Sequence, residues 1–182
     1  KSTLVDIIMG LLSPSNGVIT VDDTPINLKN IRGWQSHISH VPQTIYLSDA
    51  TIAENIAFGV NPDKVDMKRV KTAAKLAQIS KTVESFENGY ETVVGEFGVR
   101  LSGGQRQRIG IARALYEKSD VIIFDEATNA LDSDTEDMIM QTIYNIKKDI
   151  TIFIVAHRVT TLKKCNKIIK LEEGKVRVVR QL

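Results

Sequence analysis

Residues 101–132 read LSGGQRQRIGIARALYEKSDVIIFDEATNALD, and this stretch decides the fold of the chain. It joins a glycine turn (102–105), a helical pattern, an apolar run (121–124) and two neighbouring acids. The apolar run predicts a strand that is buried on both faces, as in a parallel sheet. Asp125 and Glu126 follow that strand, and open α/β sheets bind ligands where their strands end. The turn offers backbone N–H groups at a helix start, which favours a bound phosphate.

Neither half of this pattern is specific alone. A Ser-Gly-Gly sequence is usually only a loop, and an apolar run that ends in two acids is often a strand that meets solvent. Their combination is far more specific. The segments LSGGQ (101–105), VIIFDEA (121–127) and NALD (129–132) resemble the signature motif, the Walker B motif and the D-loop of ATP-binding cassette (ABC) ATPases.

The resemblance covers nearly the whole chain, from Lys1 to about Val179, and it implies an α/β fold. We expect a P-loop NTPase-like core with a parallel sheet and an inserted α-helical subdomain. Residues 1–182 then form a single, partial ABC ATPase domain, in which 44–113 are the helical subdomain and the remainder is the RecA-like core. The apolar spacing between 62 and 86 fits the packed helices of such a subdomain.

The length and composition limit the classes of protein to which the chain can belong. The chain has 182 residues and a formal net charge of +2, which is enough length for one domain with a sizeable core. Its Lys and Arg residues are scattered, so we expect no nucleic acid as a partner. No apolar run reaches the length that spans a bilayer. Cys165 is the single cysteine, which excludes an internal disulfide and fits a reducing compartment.

The chain begins with Lys1-Ser2-Thr3, followed by the apolar pattern of a helix. The Walker A motif ends in such a Lys-Ser pair, after a glycine loop that cradles phosphate. We therefore interpret the sequence as a fragment that starts at the Walker A lysine and lacks the N-terminal strands of the fold. We also expect this chain alone to bind ATP weakly, because the loop glycines and the family's adenine-stacking aromatic residue precede the lysine.

The resemblance gives each candidate nucleotide-binding or metal-binding residue a role. It implies that Lys1 contacts the β- and γ-phosphates of ATP, that Ser2 ligates Mg²⁺, and that Thr3 assists through its backbone. Asp125 would hold the Mg²⁺ directly or through water, and Gln43 would add a neutral amide oxygen. Such phosphoryl transfer depends mostly on positioning and on charge stabilisation.

The resemblance also names the catalytic candidates. Glu126 would be the general base, or would orient the attacking water. Gln43, in the position of the Q-loop, would touch the same water. His157 follows an apolar run (151–156) that predicts a second buried strand. It corresponds to the H-loop histidine, which implies contact with the γ-phosphate and support for Glu126.

The signature residues are implied to bind ATP that is held by a second nucleotide-binding domain. They are Ser102, Gly103, Gly104 and Gln105. The two domains would then form a head-to-tail dimer, with Ser102 and Asp132 at its interface. ATP would close this dimer and hydrolysis would open it.

A transmembrane domain is the second implied partner, on the same chain or a separate one. Gln43 and Glu96 are the expected contacts with it. The segment LSDATIAENIAFG (47–59) resembles the exporter branch of the family and, within it, flippases for lipid-linked saccharides. The expected location is the cytoplasmic face of a membrane.

Several local expectations concern residues outside these motifs. His37 and His40 could form a metal pair, but no Cys or further His clusters with them, so we interpret them as surface histidines or hydrogen-bonded core histidines. Ser133 is the expected N-cap of the helix that follows the D-loop. The helix 105–116 is expected to be amphipathic, with its arginines on a basic outer face.

Two other functions stay open at this stage. A soluble ABC ATPase of DNA maintenance would insert a long coiled coil between Walker A and the signature, and Lys1 and Leu101 are too close for that. A translation ATPase with two cassettes in one chain is not excluded. A non-catalytic, ATP-binding half of an asymmetric pair is disfavoured, since such halves usually lose Glu126, the LSGGQ motif or His157.

Overall fold

The computed structural model of the protein describes residues 1–128, 130–145, 150–156, 162 and 165–181. Its α-helices are α1 (Ser2–Ile8), α2 (Ile31–Ser36), α3 (Ile52–Ile56), α4 (Met67–Leu76), α5 (Ser80–Glu84), α6 (Gly103–Tyr116) and α7 (Ser133–Asn145). Its β-strands are β1 (Thr20–Val21), β2 (Thr24–Pro25), β3 (Ile38–Val41), β4 (Val121–Asp125), β5 (Thr151–Val155), β6 (Lys167–Glu172) and β7 (Lys175–Gln181). Short 3₁₀ helices cover Pro62–Lys64, Gly89–Glu91 and Glu96–Gly98. Among the described residues, no helix is both long and apolar enough to cross a membrane.

The central sheet is parallel, with the strand order β3-β4-β5. Its middle strand, β4, is buried on both faces. Side chains alternate between the two faces along a strand, so successive residues of β4 pack in different clusters. Val121 and Ile123 pack against α1, which contributes Val5 to the same cluster. Ile122 and Phe124 belong to the larger core on the opposite face. The parallel sheet and the strand buried on both faces are therefore confirmed.

Helix α1 runs antiparallel to the strands that it covers. The Trp34 indole donates to the carbonyl of Ile8 at 2.6 Å, and the Gln35 amide donates to the carbonyl of Met9 at 3.3 Å. Both donors lie in α2, which leads directly into β3, so these bonds hold the end of α1 near the edge where the strands begin. Helix α1 has seven residues and rises about 10 Å, which is comparable to the length of β4. The start of α1 therefore lies toward the edge where the strands end.

Strand β5 differs from its prediction. Ile152 and Ile154 pack on the larger core, as expected for one face. On the other face Phe153 is 38% exposed, because α1 packs mainly over β4. The expectation that β5 is buried on both faces is wrong within the part of the chain that is described.

The larger core lies between α3, α4, α6 and one face of the sheet. Small buried residues such as Ala73 in α4 and Ala112 in α6 let these helices approach each other closely. Helix α6 continues to Tyr116, so the expected subdomain boundary at residue 113 falls inside one helix. The division into a helical subdomain and a RecA-like core stays a prediction.

Two tight hairpin turns use left-handed backbone. Asp22 and Asp23, between β1 and β2, have φ values of 46° and 64°, and Glu173 and Gly174, between β6 and β7, have 49° and 75°. Two consecutive positive φ values give the turn whose twist matches that of paired strands. A Glu-Gly pair between the apolar runs 167–171 and 175–179 predicts such a hairpin from the sequence. The antiparallel register of β6 and β7 confirms it.

Helix α7 has a different N-cap from the one expected. The Asp132 carboxylate accepts a hydrogen bond from the N–H of Thr135 at 2.9 Å, and Ser133 is the first helical residue. The prediction for Ser133 is therefore wrong. A carboxylate accepts more strongly than a hydroxyl, and its negative charge interacts favourably with the helix dipole.

The loop after β3 packs closely on α6 where Ile45 meets Gly110. A methyl group added at Gly110 would lie 2.4 Å from Cδ1 of Ile45 and 3.1 Å from its Cγ2. Gly110 thus leaves the space that the Ile45 side chain fills. No pattern in the sequence predicts this contact.

We expect Gly110→Ala to destabilise the fold, although alanine favours a helix by about 1 kcal/mol over glycine. Overpacking a core costs about 1–3 kcal/mol, so the free energy of unfolding in urea should fall by about 1 kcal/mol. Gly33→Ala in α2 is the control, because nothing lies within 4 Å of its Cβ position, and it should be neutral or stabilising. Adding Ile45→Ala should remove the penalty of Gly110→Ala, and an undiminished penalty would contradict the steric explanation.

Candidate active site

Three oxygen donors from three elements lie at one edge of the central sheet. Asp125 is the last residue of β4 and is half-buried. Gln43 follows β3 by two residues, Ser2 begins α1, and both are exposed. The ends of parallel strands meet at one edge, and α1 starts toward that edge. Hydroxyl, amide and carboxylate oxygens are ligands that Mg²⁺ accepts, so these residues fit the ion.

Lys1 and Thr3 flank Ser2 and are also exposed. The carbonyl of Lys1 accepts hydrogen bonds from the N–H groups of Leu4 and Val5, at 3.0 and 3.1 Å, which starts the helix. The Lys1 ammonium and the first N–H groups of α1 therefore lie toward the same edge as Asp125. Both are attractive to an anion.

Glu126 has an unusual backbone conformation. Its φ is 52°, in the left-handed region that few non-glycine residues occupy. Its N–H donates to the carbonyl of Val155 at 2.9 Å, so the neighbouring strand holds this conformation in place. Residues kept in such strained backbone cluster at functional sites, because the surrounding structure must compensate for the strain. Glu126 is half-buried.

The signature residues form the start of α6 rather than a separate turn. The Ser102 hydroxyl accepts from the N–H of Gln105 at 3.2 Å, and the Gln105 side chain accepts from the N–H of Ser102 at 2.8 Å. This capping box makes Ser102 the N-cap. Gly103 and Gly104 are the first two helical residues, where an N–H has no acceptor within the helix. Ser102 and Gly103 are exposed, so these donors face outward.

A shallow cavity of about 160 Å³ lies between Gln43, Gly103 and Arg106. Ligand pockets usually measure about 300–1,000 Å³. This cavity is therefore smaller than a usual ligand pocket.

The D-loop is fixed against the start of α6. Ala130 donates its N–H to the buried Gln107 side chain at 3.1 Å. The Thr128 hydroxyl donates to the Glu136 carboxylate at 2.9 Å, and both residues are buried. Asp132, the predicted interface residue, is exposed. Hydrogen bonds from Thr135 lower the pKa of its carboxyl from the ordinary value, so it is ionised at neutral pH.

The arginines of α6 do not form the basic outer face that we expected. The Arg106 guanidinium donates to the carbonyl of Leu101 at 2.6 Å, and that of Arg108 donates to the carbonyl of Gln78 at 2.8 Å. Both side chains are half-buried. Helical periodicity places them outward from α6, but neighbouring segments cover that side and offer carbonyl acceptors. The expectation is wrong for this reason.

Asn55 is a fully buried residue that the sequence analysis missed. Its Oδ1 accepts from the N–H of Ser48 at 3.0 Å, and its Nδ2 donates to the carbonyls of Ser48 and Thr51, each at 3.0 Å. Arg113 of α6 donates to the carbonyls of Asn55 and Tyr46, at 2.9 and 3.1 Å. Together these bonds tie the loop after β3 to the signature helix. A single buried asparagine leaves no periodic signal in a sequence.

Glu96, the predicted contact with a transmembrane domain, is exposed in a 3₁₀ turn. The next residue, Phe97, has a left-handed φ of 53°. Its ring is 68% exposed and meets the Tyr46 ring edge to face, with centroids 5.5 Å apart. Glu96 thus lies beside an aromatic pair that is open to solvent.

The histidines have different surroundings. His157 lies outside the described residues, so its role stays a prediction. His37 is exposed, and its Nδ1 is hydrogen-bonded to the Asp120 carboxylate. His40 is half-buried in β3, and its Nε2 is buried without a hydrogen-bond partner among the described residues. The expectation of a hydrogen-bonded core histidine is therefore wrong for Nε2 of His40. Within the described part of the chain, no cluster of His, Cys, Asp and Glu could hold a metal ion.

The chain is similar to known proteins in both sequence and structure. A sequence profile of ABC transporters matches residues 1–129, well over half of the chain. The chain belongs to the ABC transporter family. A solved structure of a bacterial Atm1-family ABC exporter with ATP bound is similar, with a TM-score of 0.93 and 34% identity. The match covers 100% of this chain and 31% of that one, and it confirms the predicted fold class.

Curated ABC transporters are similar along nearly the whole sequence. The chain is 40% identical over 176 residues to the ATP-dependent lipid A-core flippase of Saccharophagus degradans, which covers 97% of this chain and 30% of that protein. It is 38% identical over 177 residues to the ABC transporter B family member 29, chloroplastic, of Arabidopsis thaliana, which covers 97% of this chain and 28% of that protein. The chain thus spans under a third of the length of these relatives.

Replacing Asn55 by alanine should lower the free energy of unfolding by about 2–4 kcal/mol. The N–H of Ser48 and the carbonyls around it lose their partner, and a buried unsatisfied group costs about 1–3 kcal/mol. Asn61→Ala is the matched control: Asn61 is exposed and caps a short 3₁₀ helix through one bond to Asp63, at 3.0 Å. The free energy of unfolding of Asn61→Ala should fall by less than about 1 kcal/mol. Equal losses in chemical denaturation of the two variants would contradict the importance of the Asn55 network.

Proposed function

We propose that this chain hydrolyses ATP as the nucleotide-binding domain of an ABC exporter and so drives transport of a substrate across a membrane. One observation carries the proposal: the acid pair at the end of β4 lies at the edge toward which α1 begins. The relatives that match nearly the whole chain are named as a flippase, a transporter and an exporter, which supports an exporter over a soluble ABC ATPase.

The two acids are suited to different tasks. Asp125 ends an extended strand, whereas the left-handed backbone at Glu126 turns the chain away from the strand direction. The two carboxylates therefore leave the backbone in different directions. Asp125 is our proposed metal ligand, together with Ser2 and Gln43. When bound, Mg²⁺ neutralises charge that develops on the β- and γ-phosphates.

The remaining roles follow from where the residues lie along the chain. Lys1 binds the phosphates through its ammonium, with Thr3 assisting through its backbone. Glu126 orients the attacking water or takes its proton, and Gln43 touches the same water. His157 contacts the γ-phosphate and supports Glu126.

A second nucleotide-binding domain completes each site. The N–H groups of Gly103 and Gly104 and the Ser102 hydroxyl face outward, with Gln105 beside them, and they suit the phosphates of ATP on a partner domain. The exposed Asp132 lies next to them, on the same surface. These features support a head-to-tail dimer that closes on ATP and opens after hydrolysis.

We further propose that the surface around Glu96 and Gln43 contacts a transmembrane domain. The exposed Tyr46–Phe97 pair supports this, because large aromatic side chains are common where proteins bind each other. The cytoplasmic face of a membrane is our proposed location for the domain. A lipid, or a lipid-linked saccharide, is our proposed substrate, supported by the flippase among the relatives.

In the intact transporter, Glu126→Gln should retain ATP binding and lower steady-state phosphate release by at least about 100-fold, in line with loss of general-base catalysis. The amide keeps the size of the side chain but cannot accept the proton. Glu117→Gln is the control, since Glu117 is an exposed acid beyond α6, and phosphate release should not change. Undiminished release from Glu126→Gln would refute the assignment.

The dimer can be tested by mixing two inactive variants. Gly103→Asp should fold, because the nearest heavy atom to the new Cβ is 4.0 Å away and an acid is favourable in the first helical turn. Its charge should nevertheless repel phosphate. A heterodimer of Gly103→Asp with Glu126→Gln contains one fully intact site only if the signature acts on the partner domain. Because we propose that arrangement, phosphate release should return in the mixture.

A control mixture separates this result from general stabilisation. Gln43→Ala and Glu126→Gln damage the same half of each site, so their heterodimer should stay inactive. Activity in this mixture, or none in the mixture with Gly103→Asp, would argue against sites shared between two domains.

A further inference from the structure

His40 lies next to the candidate active site but has no role in the function proposed above. It belongs to β3, where side chains alternate between the two faces of the sheet. Ile38 packs in the small cluster under α1, so His40, two residues later, faces the same side. In the register of the sheet His40 pairs with Ile123, and Asp125 lies two residues beyond on that face of β4.

The imidazole of His40 holds a polar atom that no described residue satisfies. Nε2 is buried and has no hydrogen-bond partner within the described residues. A buried donor or acceptor without a partner is costly, so such an atom in a folded protein calls for an explanation. His37, three residues earlier, shows the contrast, because its ring is exposed and bonded to Asp120.

Two carboxylates are close enough to act on this ring. Burial lowers the pKa of His40 from its ordinary value, while the charges of Asp125 on β4 and Asp6 on α1 oppose that shift. A neutral imidazole ring carries one N–H donor and one acceptor. A neutral donor beside Asp125 can bind its carboxylate without neutralising the charge that a metal ion needs.

We propose that His40 is a positioning residue for Asp125: its buried Nε2–H donates to the Asp125 carboxylate and orients the other oxygen toward bound magnesium. The inference rests on the proposed function, because it takes Asp125 as a metal ligand. It explains the unsatisfied nitrogen as a donor that gains its acceptor when the Asp125 side chain is fixed by the metal. Residues that support metal ligands in this way strongly affect metal affinity.

The proximity of the two side chains can be tested without nucleotide. We would follow the titration of the His40 ring by NMR in the intact protein, with the signal assigned through its loss in His40→Gln. Asp125→Asn should lower the pKa of His40 further, because the ring cation loses an attractive charge. An unchanged pKa in Asp125→Asn, or a shift only in Asp6→Asn, would overturn the inference.

The effect on the metal can be tested by the magnesium dependence of binding of a fluorescent ATP analogue. His40→Leu should raise the magnesium concentration for half-maximal binding about tenfold, in the range usual for loss of a supporting hydrogen bond. His40→Gln, which keeps an N–H donor at a similar position, should stay near the wild type. His37→Leu is the matched control and should not change the magnesium dependence.

These outcomes separate the inference from the proposed function. Equal magnesium dependence in His40→Leu and the wild type would overturn the role of His40, whatever the activity of Glu126→Gln. A loss in His40→Gln as large as in His40→Leu would also overturn it, since the donor would then be irrelevant. Full phosphate release by Glu126→Gln would instead refute the catalytic assignment and leave the NMR result intact.

Discussion

Strand β4 is hydrogen-bonded to a neighbour on each side and packed on both faces, and the other candidate groups are placed relative to its end. The register pairs Asp125 with Val155 in β5, and the N–H of Glu126 bonds to the carbonyl of the same residue. This bond holds the left-handed turn at Glu126. Because the strand cannot slide without unpacking both cores, the two acids keep a fixed position at the edge of the sheet.

Helix α6 connects that edge to the rest of the domain. At its start, the Ser102–Gln105 capping box satisfies the backbone N–H groups of Ser102 and Gln105. It leaves the N–H groups of Gly103 and Gly104 facing outward. Farther along, Ile45 packs on Gly110, and Arg113 bonds to the segment that carries Asn55. These contacts join the helix to the loop that holds Gln43.

Several hydrogen bonds of this domain run from a side chain to a backbone carbonyl of another segment. Arg106, Arg108 and Arg113 each donate to backbone carbonyls, and Asn55 bonds to the loop after β3. Charged hydrogen bonds of this kind are strong where water is excluded. They add polar contacts to the apolar core that already joins the helices near 50–80 to α6.

Local patterns along the chain predicted the central strand and its acid pair, the helix after LSGGQ and the final hairpin, while the resemblance to the ABC family implied the fold class. These features depend on local periodicity and on turn residues, which act between near neighbours in the chain. Packing between segments settles which face of β5 is covered, where Arg108 and Arg113 bind, and that Ile45 and Asn55 carry contacts with α6. It also settles that Nε2 of His40 is buried without a hydrogen-bond partner in the described part of the chain. Each of these depends on atoms from segments that are distant in the sequence, and a pattern along one segment cannot report what packs against it.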